Sequence, residues 1–159
     1  MIKVLFICHG NICRSPMAEF ILKHMVANQS LTTHFQIASA ATSREEIWNG
    51  IGNPVYPPAK QELKKHGISC DGKRAVQVTK QDYEKYDYLI VMDTNNYYNL
   101  NRIIGEDKEH KVHMLLDYAG RPGESIADPW YSGNFTLTYQ EIEAGCAGFL
   151  ETLRSEGKI

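Results

Sequence analysis

Cys8 and Arg14 bracket the five residues His9-Gly10-Asn11-Ile12-Cys13, and Ser15-Pro16 come next. A thiol and a guanidinium at the two ends of a short loop are the parts of an anion-binding nucleophile. If that loop runs from a strand into a helix, several backbone N–H groups turn toward one point, and the helix dipole favours negative charge there. A cysteine at such a point is favoured as the thiolate, which is its nucleophilic form. Arg14 adds a permanent charge in a planar fork that grips two phosphoryl oxygens and offsets charge as it redistributes in a transition state. The expected phosphate-binding set is therefore His9, Gly10, Asn11, Ile12, Cys13, Arg14 and Ser15.

Such a pair is common in sequences, where the cysteine is ordinarily a small buried hydrophobe and the arginine a solvated surface group. Context gives this one its meaning. The apolar run Val4-Leu5-Phe6-Ile7 precedes the loop, Gly10 permits close backbone approach, Ser15 suits a cap and Pro16 suits a first helical turn. Lys3 to Ile7 reads as a central strand of a parallel sheet, and Pro16 to about Gln29 as a helix with one apolar stripe.

The alternation continues along the chain. Phe35 to Ala40 predicts a second strand, followed by an irregular stretch from Thr42 to Pro58. Ala59 to His66 reads as a helix stopped by Gly67, and Thr79 caps a short helix through Tyr86. Tyr88 to Met92 is a strand, Thr94 to Ile104 a helix closed by Gly105, Lys111 to Leu116 a last strand, and Phe135 to about Arg154 a final helix after a polar loop. Repeated strand and helix units predict an α/β fold: an open parallel sheet with helices on both faces. Ligands in such sheets bind beyond the carboxyl ends of the strands, which is where the Cys8 loop falls.

A chain of 159 residues, 43% hydrophobic, suits one domain spanning residues 1–159. The net charge of −2 offers no global field for nucleic acid or an anionic membrane. The N-terminal apolar run is shorter than a signal peptide and no stretch approaches a membrane span, so the expected location is the cytoplasm. Cys8, Cys13, Cys70 and Cys146 are expected as reduced thiols, and no second Cys or His pair completes a zinc site with Cys8, His9 and Cys13.

Expelling an alkoxide or phenoxide needs a proton, so a carboxylic acid must reach the leaving oxygen. Asp128, in Ala127-Asp128-Pro129-Trp130-Tyr131, sits in a polar loop beside a proline and two aromatics. An Asp-Pro turn starter reads the same way, and the residues by themselves leave both readings open.

Residues 4 to 19 together with Asp128-Pro129-Trp130-Tyr131 resemble the low-molecular-weight protein tyrosine phosphatases. Ser39-Ala40-Ala41-Thr42-Ser43, Trp48-Asn49, Lys65-His66-Gly67-Ile68 and Val91-Met92-Asp93 fall in that family's order, so the resemblance covers nearly the whole chain. It implies a four-stranded parallel sheet flanked by helices, with Cys8 as nucleophile, Arg14 as phosphate clamp and Asp128 as general acid. Ser15 would hydrogen-bond the thiolate, and Asn11, Ser39 and His66 would form a polar network holding the loop in shape. Cys13 matches a second cysteine that pairs reversibly with the nucleophile on oxidation. The implied activity is metal-independent and needs no cofactor. Its substrates would be phosphotyrosine-containing proteins or small aryl phosphates, and its product inorganic phosphate. Trp48, Trp130 and Tyr131 are candidate walls for an aromatic ring. Ile12 resembles the tyrosine-directed branch, since related arginine phosphatases carry threonine there. Two departures stand out: the loop around Trp48 is longer than usual, and Tyr56-Pro57-Pro58-Ala59 replaces a common Asp-Pro-Arg-Ala, removing a salt bridge. Alternatives are an arginine phosphatase or an arsenate reductase of the same fold, or a non-catalytic phosphate-binding module. The reductase would need a cysteine pair that Cys70 lacks, and mere binding needs neither Cys8 nor Asp128.

Overall fold

The computed structural model describes residues 1–159. Four strands, β1 (Ile2–Cys8), β2 (Phe35–Ala41), β5 (Tyr88–Val91) and β6 (Val112–Met114), form one parallel sheet in the order β2-β1-β5-β6. Because side chains alternate across a strand, β1 feeds two cores. Val4, Phe6 and Cys8 join a cluster of 26 buried residues, while Leu5 and Ile7 join a cluster of 9 on the other face. The larger cluster is covered by α1 (Arg14–Asn28), α2 (Pro57–Lys65) and α6 (Phe135–Ser155). The smaller lies under α4 (Thr94–Ile104), with Tyr83 of the short α3 (Asp82–Lys85) at its edge. Helices on both faces explain why the central strands are almost uniformly apolar. No helix is long and apolar enough to cross a membrane.

The expected alternation holds, with local differences. The stretch from Thr42 to Pro58 contains a small antiparallel hairpin, β3 (Ile47–Trp48) and β4 (Ile51–Gly52), turned by Asn49 and Gly50 with φ of 49° and 77°. Two successive positive φ values are what a two-residue hairpin loop demands, and Asn-Gly is the sequence that supplies them. The last strand is shorter than predicted: after Met114 the chain tightens into a 3-10 turn, Leu115–Ala119. Thr79 does not cap α3 through its side chain; Asp82 instead accepts from the Thr79 main-chain N–H at 2.8 Å.

Gly145 and Gly148 sit inside α6 because the helix crosses that 3-10 turn closely. A Cβ on Gly148 would fall 1.9 Å from the Tyr118 carbonyl oxygen, and one on Gly145 2.5 Å from Leu115 Cγ. The first turns of the same helix lie against the segment that carries Asp128, through Thr138 and Glu141.

Candidate active site

The loop from Cys8 to Arg14 lies at the carboxyl edge of β1, and its main chain is tied to the two residues after β2: Thr42 N–H donates to Cys8 O and Ser43 N–H to His9 O, each at 3.0 Å. The Cys8 sulfur accepts from the N–H groups of Asn11 at 3.3 Å and Ser15 at 3.4 Å, and lies 2.9 Å from Ser15 Oγ. Donors therefore converge on the sulfur as the strand-loop-helix arrangement requires. The helix begins at Arg14, ahead of the predicted start at Pro16, with Cys13 as N-cap, so Ser15 turns its hydroxyl to the sulfur and does not cap.

Asn11 holds the loop in shape. Its φ of 58° places a non-glycine residue in the left-handed region, a strain that surrounding bonds must offset. Its side chain donates to Ser15 Oγ at 2.7 Å and to Ser39 Oγ at 2.9 Å, and accepts from Val76 N–H at 3.1 Å. Ser39 donates to the buried Glu19 at 2.6 Å. Glu19 pairs with Lys23 at 2.6 Å, and Lys73 Nζ lies 3.7 Å from Glu19 while donating to Ser39 O at 2.9 Å. A buried carboxylate is tolerable when it is so paired.

His66 is not part of this network. It stands at the end of α2 and stacks on Tyr139 with ring centroids 3.7 Å apart; its Nε2 lies 3.2 Å from Glu62 Oε2, one helical turn back. The cation that does meet Ser39 and Glu19 is Lys73, from the segment after α2, which sequence reasoning missed. Nothing in its polar sequence surroundings marks it beforehand.

Arg14 is only 4% exposed. Its guanidinium donates to Ile126 O at 3.1 Å and to Asp93 Oδ2 at 2.8 Å, and lies 3.5 Å from Asp128 Oδ2. Asp93 caps α4 with its other oxygen, accepting from Asn96 N–H at 2.7 Å. Its signal in the sequence was an acid ending an apolar strand just before a helix, an N-cap pattern that also places a carboxylate at the sheet edge.

The segment carrying Asp128 is held from both sides. Ile126 N–H donates to Met92 O at 2.9 Å, Ala127 N–H to Glu141 at 2.8 Å, and Thr138 Oγ1 to Ala127 O at 2.8 Å. Asp128 caps a one-turn helix, α5 (Pro129–Ser132), accepting from Trp130 N–H at 3.1 Å.

Cys8, Arg14, Asp93 and Asp128 line one cleft of about 500 Å³, with Trp130 and Tyr131 at its mouth and His9, paired with Glu45 at 2.9 Å, on its rim. Gly10, Ile12 and Cys13 line it as well, while Asn11 and Ser15 are buried behind the sulfur. Trp48 is not a wall of this cleft: the tight hairpin turns it outward and leaves it 73% exposed. Cys13 is a free thiol pushed up to about 12, first by burial and then by the neighbouring Cys8. No group of three His, Cys, Asp or Glu side chains is placed to hold a metal ion.

A cysteine sulfur among converging N–H groups, a clamped guanidinium and a carboxylate facing one cavity make phosphoryl transfer the chemistry this arrangement supports. The family model for low molecular weight phosphotyrosine protein phosphatase matches residues 3–159. The chain belongs to this family. It is 38% identical over 160 residues to the low molecular weight protein-tyrosine-phosphatase YfkJ of Bacillus subtilis, covering 100% of both chains. The identity to the human low molecular weight phosphotyrosine protein phosphatase is 38% over 153 residues, covering 94% of each. The crystal structure of YfkJ superposes with a TM-score of 0.90 over 98% of this chain and 96% of that one. A Drosophila arginine phosphatase, also of this phosphatase fold, is 32% identical with a TM-score of 0.84, over 95% of this chain and 97% of that one.

Proposed function

We propose that this chain is a protein tyrosine phosphatase that works through a phosphocysteine intermediate without a metal, and that residues 1–159 form its single domain. One observation carries the reading: Arg14 spans Asp93 and Asp128 across the same cleft into which Cys8 opens.

In the first step Cys8 Sγ attacks phosphorus in line, the S–P bond forms, and the bond to the phenolic oxygen breaks as protonated Asp128 gives that oxygen its proton. In the second, the Asp128 carboxylate takes a proton from water, whose oxygen attacks phosphorus. The P–S bond breaks, the thiolate returns and inorganic phosphate leaves. Arg14 and the loop amides bind the phosphoryl oxygens in both steps and stabilise the charge they spread. Asp93 keeps the guanidinium aimed at the cavity before substrate arrives. Trp130 and Tyr131 offer apolar faces to a ring at the cleft mouth, which favours phosphotyrosine over phosphoserine. Substrates are then phosphotyrosine-containing proteins or small aryl phosphates, met in the cytoplasm. Cys13 would act as resolving thiol if peroxide converts Cys8 to its sulfenic acid, giving the disulfide and water.

The test is hydrolysis of an aryl phosphate in chelator-treated buffer. The wild type is expected to turn over, while Cys8→Ser loses turnover and retains phosphate binding. Equal rates in both would remove Cys8 from the mechanism. Faster turnover of phosphoarginine than of phosphotyrosine peptides would reassign the substrate to the arginine side of the fold.

A further inference from the structure

We propose that Tyr56 is a positioning residue for Asp128, propping the acid-bearing turn against the anion loop; this rests on the phosphatase reading above. Tyr56 stands just before α2 and is half-buried. Its main-chain N–H donates to Ile12 O at 2.9 Å, which ties the residue to the anion loop. Its ring faces the other way, with its centroid 5.2 Å from that of Trp130 at a tilt of 53°, and 6.1 Å from that of Phe135 at 31°. Both separations fall in the range of favourable aromatic pairs. One residue thus bridges the anion loop, the acid turn and the start of α6.

What the bridge holds is the downstream half of the Asp128 turn. Upstream, Ile126 N–H is pinned to Met92 O just past β5, and the Ala127 main chain to the Glu141 and Thr138 side chains of α6. Downstream, α5 has only four residues, too few to be stable alone, and Asp128 is its cap. The bond from Trp130 N–H to Asp128 Oδ1 makes the carboxylate and Trp130 move together. Trp130 is 58% exposed, so its aromatic contact with Tyr56 is a large part of what restrains it. Without that ring the Asp128 carboxylate would spend more time on Arg14, 3.5 Å away, and less where a leaving oxygen departs.

A positioning role of this kind weighs on proton transfer, which is sensitive to small displacements of the donor. It does not weigh on phosphate binding or on sulfur attack. The sequence at this point, Tyr56-Pro57-Pro58, supports the role: the prolines fix the backbone that aims the ring.

The experiment compares Tyr56→Leu and Tyr56→Phe on two substrates, phenyl phosphate, whose leaving group needs a proton, and 2,4-dinitrophenyl phosphate, whose leaving group does not. For Tyr56→Leu, kcat/KM on phenyl phosphate is expected to fall roughly tenfold while that on the dinitrophenyl ester changes less than about twofold. Tyr56→Phe, which keeps the ring, should match wild type on both. Equal losses on both substrates, no loss on either, or a Phe variant as impaired as Leu would each overturn the proposal. A second arm reads the contact directly. In a Trp48→Phe background Trp130 is the remaining tryptophan of the chain's two. Its quenching by acrylamide should rise with Tyr56→Leu and not with Tyr56→Phe; unchanged quenching overturns the prop regardless of rates. A wild type inactive on both esters would instead overturn the phosphatase reading and the role of Asp128 with it, while the quenching still reports the contact.

Discussion

Ser15 holds its hydroxyl oxygen 2.9 Å from the Cys8 sulfur while that same oxygen accepts a hydrogen bond from Asn11 Nδ2 at 2.7 Å. With Asn11 donating to the oxygen, the hydroxyl hydrogen is free to point at the sulfur. A hydrogen bond to a charged acceptor contributes about 1.5–3 kcal/mol, so Ser15→Ala should slow turnover by roughly tenfold or more. Phosphate affinity should change little, because Ser15 lies behind the sulfur. Single-turnover kinetics against phosphate inhibition separates the two, and unchanged chemistry would show that the hydroxyl is idle.

Removing the Asp128 proton should matter in proportion to how badly the leaving group needs it. Asp128→Asn is expected to lower kcat/KM on phenyl phosphate by roughly a hundredfold or more and on 2,4-dinitrophenyl phosphate far less. Uniform loss across leaving groups would argue that the carboxylate serves only to cap α5.

Asp93 does two jobs with its two oxygens, one toward Arg14 and one toward Asn96 N–H, and substitutions separate them. Both Asp93→Asn and Asp93→Ala take the charge away from the buried Arg14 and should lower the melting temperature and raise KM, but asparagine is as good an N-cap as aspartate and keeps the bond to Asn96 N–H. Asp93→Ala should be less stable than Asp93→Asn by a further capping loss of about 1 kcal/mol. Identical melting curves for the two variants would deny the capping role.

Glu62 makes stability depend on acid. Burial alone would raise its pKa, but the hydrogen bonds from Thr136 and His66 and the charge of Lys65 outweigh it and hold the carboxyl below its ordinary 4.5. A folded-state value below the unfolded one gives stability that is complete above the unfolded value and is lost as pH falls through the folded one. The wild type should therefore lose melting temperature more steeply than Glu62→Gln between about pH 5 and pH 3. Parallel curves would remove Glu62 from the acid response.

The α6 crossing has no room for a methyl group at Gly148. Gly148→Ala would meet the rigid Tyr118 main chain, and overpacking of this kind costs about 1–3 kcal/mol or more. Gly145→Ala meets the Leu115 side chain first, which can turn aside, so its melting temperature should fall less. The reverse order would mean that the helix, not the side chain, yields.

Features set by local sequence were legible in the chain itself. The strands that feed both cores and the helix from Thr94 to Ile104 depend on neighbours in the chain and lie where periodicity and capping residues put them. The loop from Cys8 falls between strand and helix as read, but its helix starts at Arg14 and Ser15 faces the sulfur instead of capping. What escaped depends on segments that meet only after folding. His66 carries a histidine's ordinary chemistry at a helix end, and only the packing of α2 on α6 assigns it to Tyr139 and Glu62. Lys73 lies in a polar stretch indistinguishable from any solvated loop until β2 and α1 bring Ser39 and Glu19 to it. Trp48 is an aromatic beside the motif region, but the Asn49-Gly50 turn that faces it outward acts through two backbone angles that the aromatic itself does not reveal. The Tyr56 to Trp130 contact is a meeting of two loops, for which sequence spacing holds no signal.

A single run of polar groups connects Cys8 through Ser15, Asn11, Ser39 and Glu19 to Lys73, and it draws its members from β1, the loop after it, α1, β2 and the segment after α2. A sulfur whose surroundings are assembled from such scattered stretches has no half-built version. Competence should arrive all at once during folding, and heating should extinguish it in step with loss of the native state rather than ahead of it.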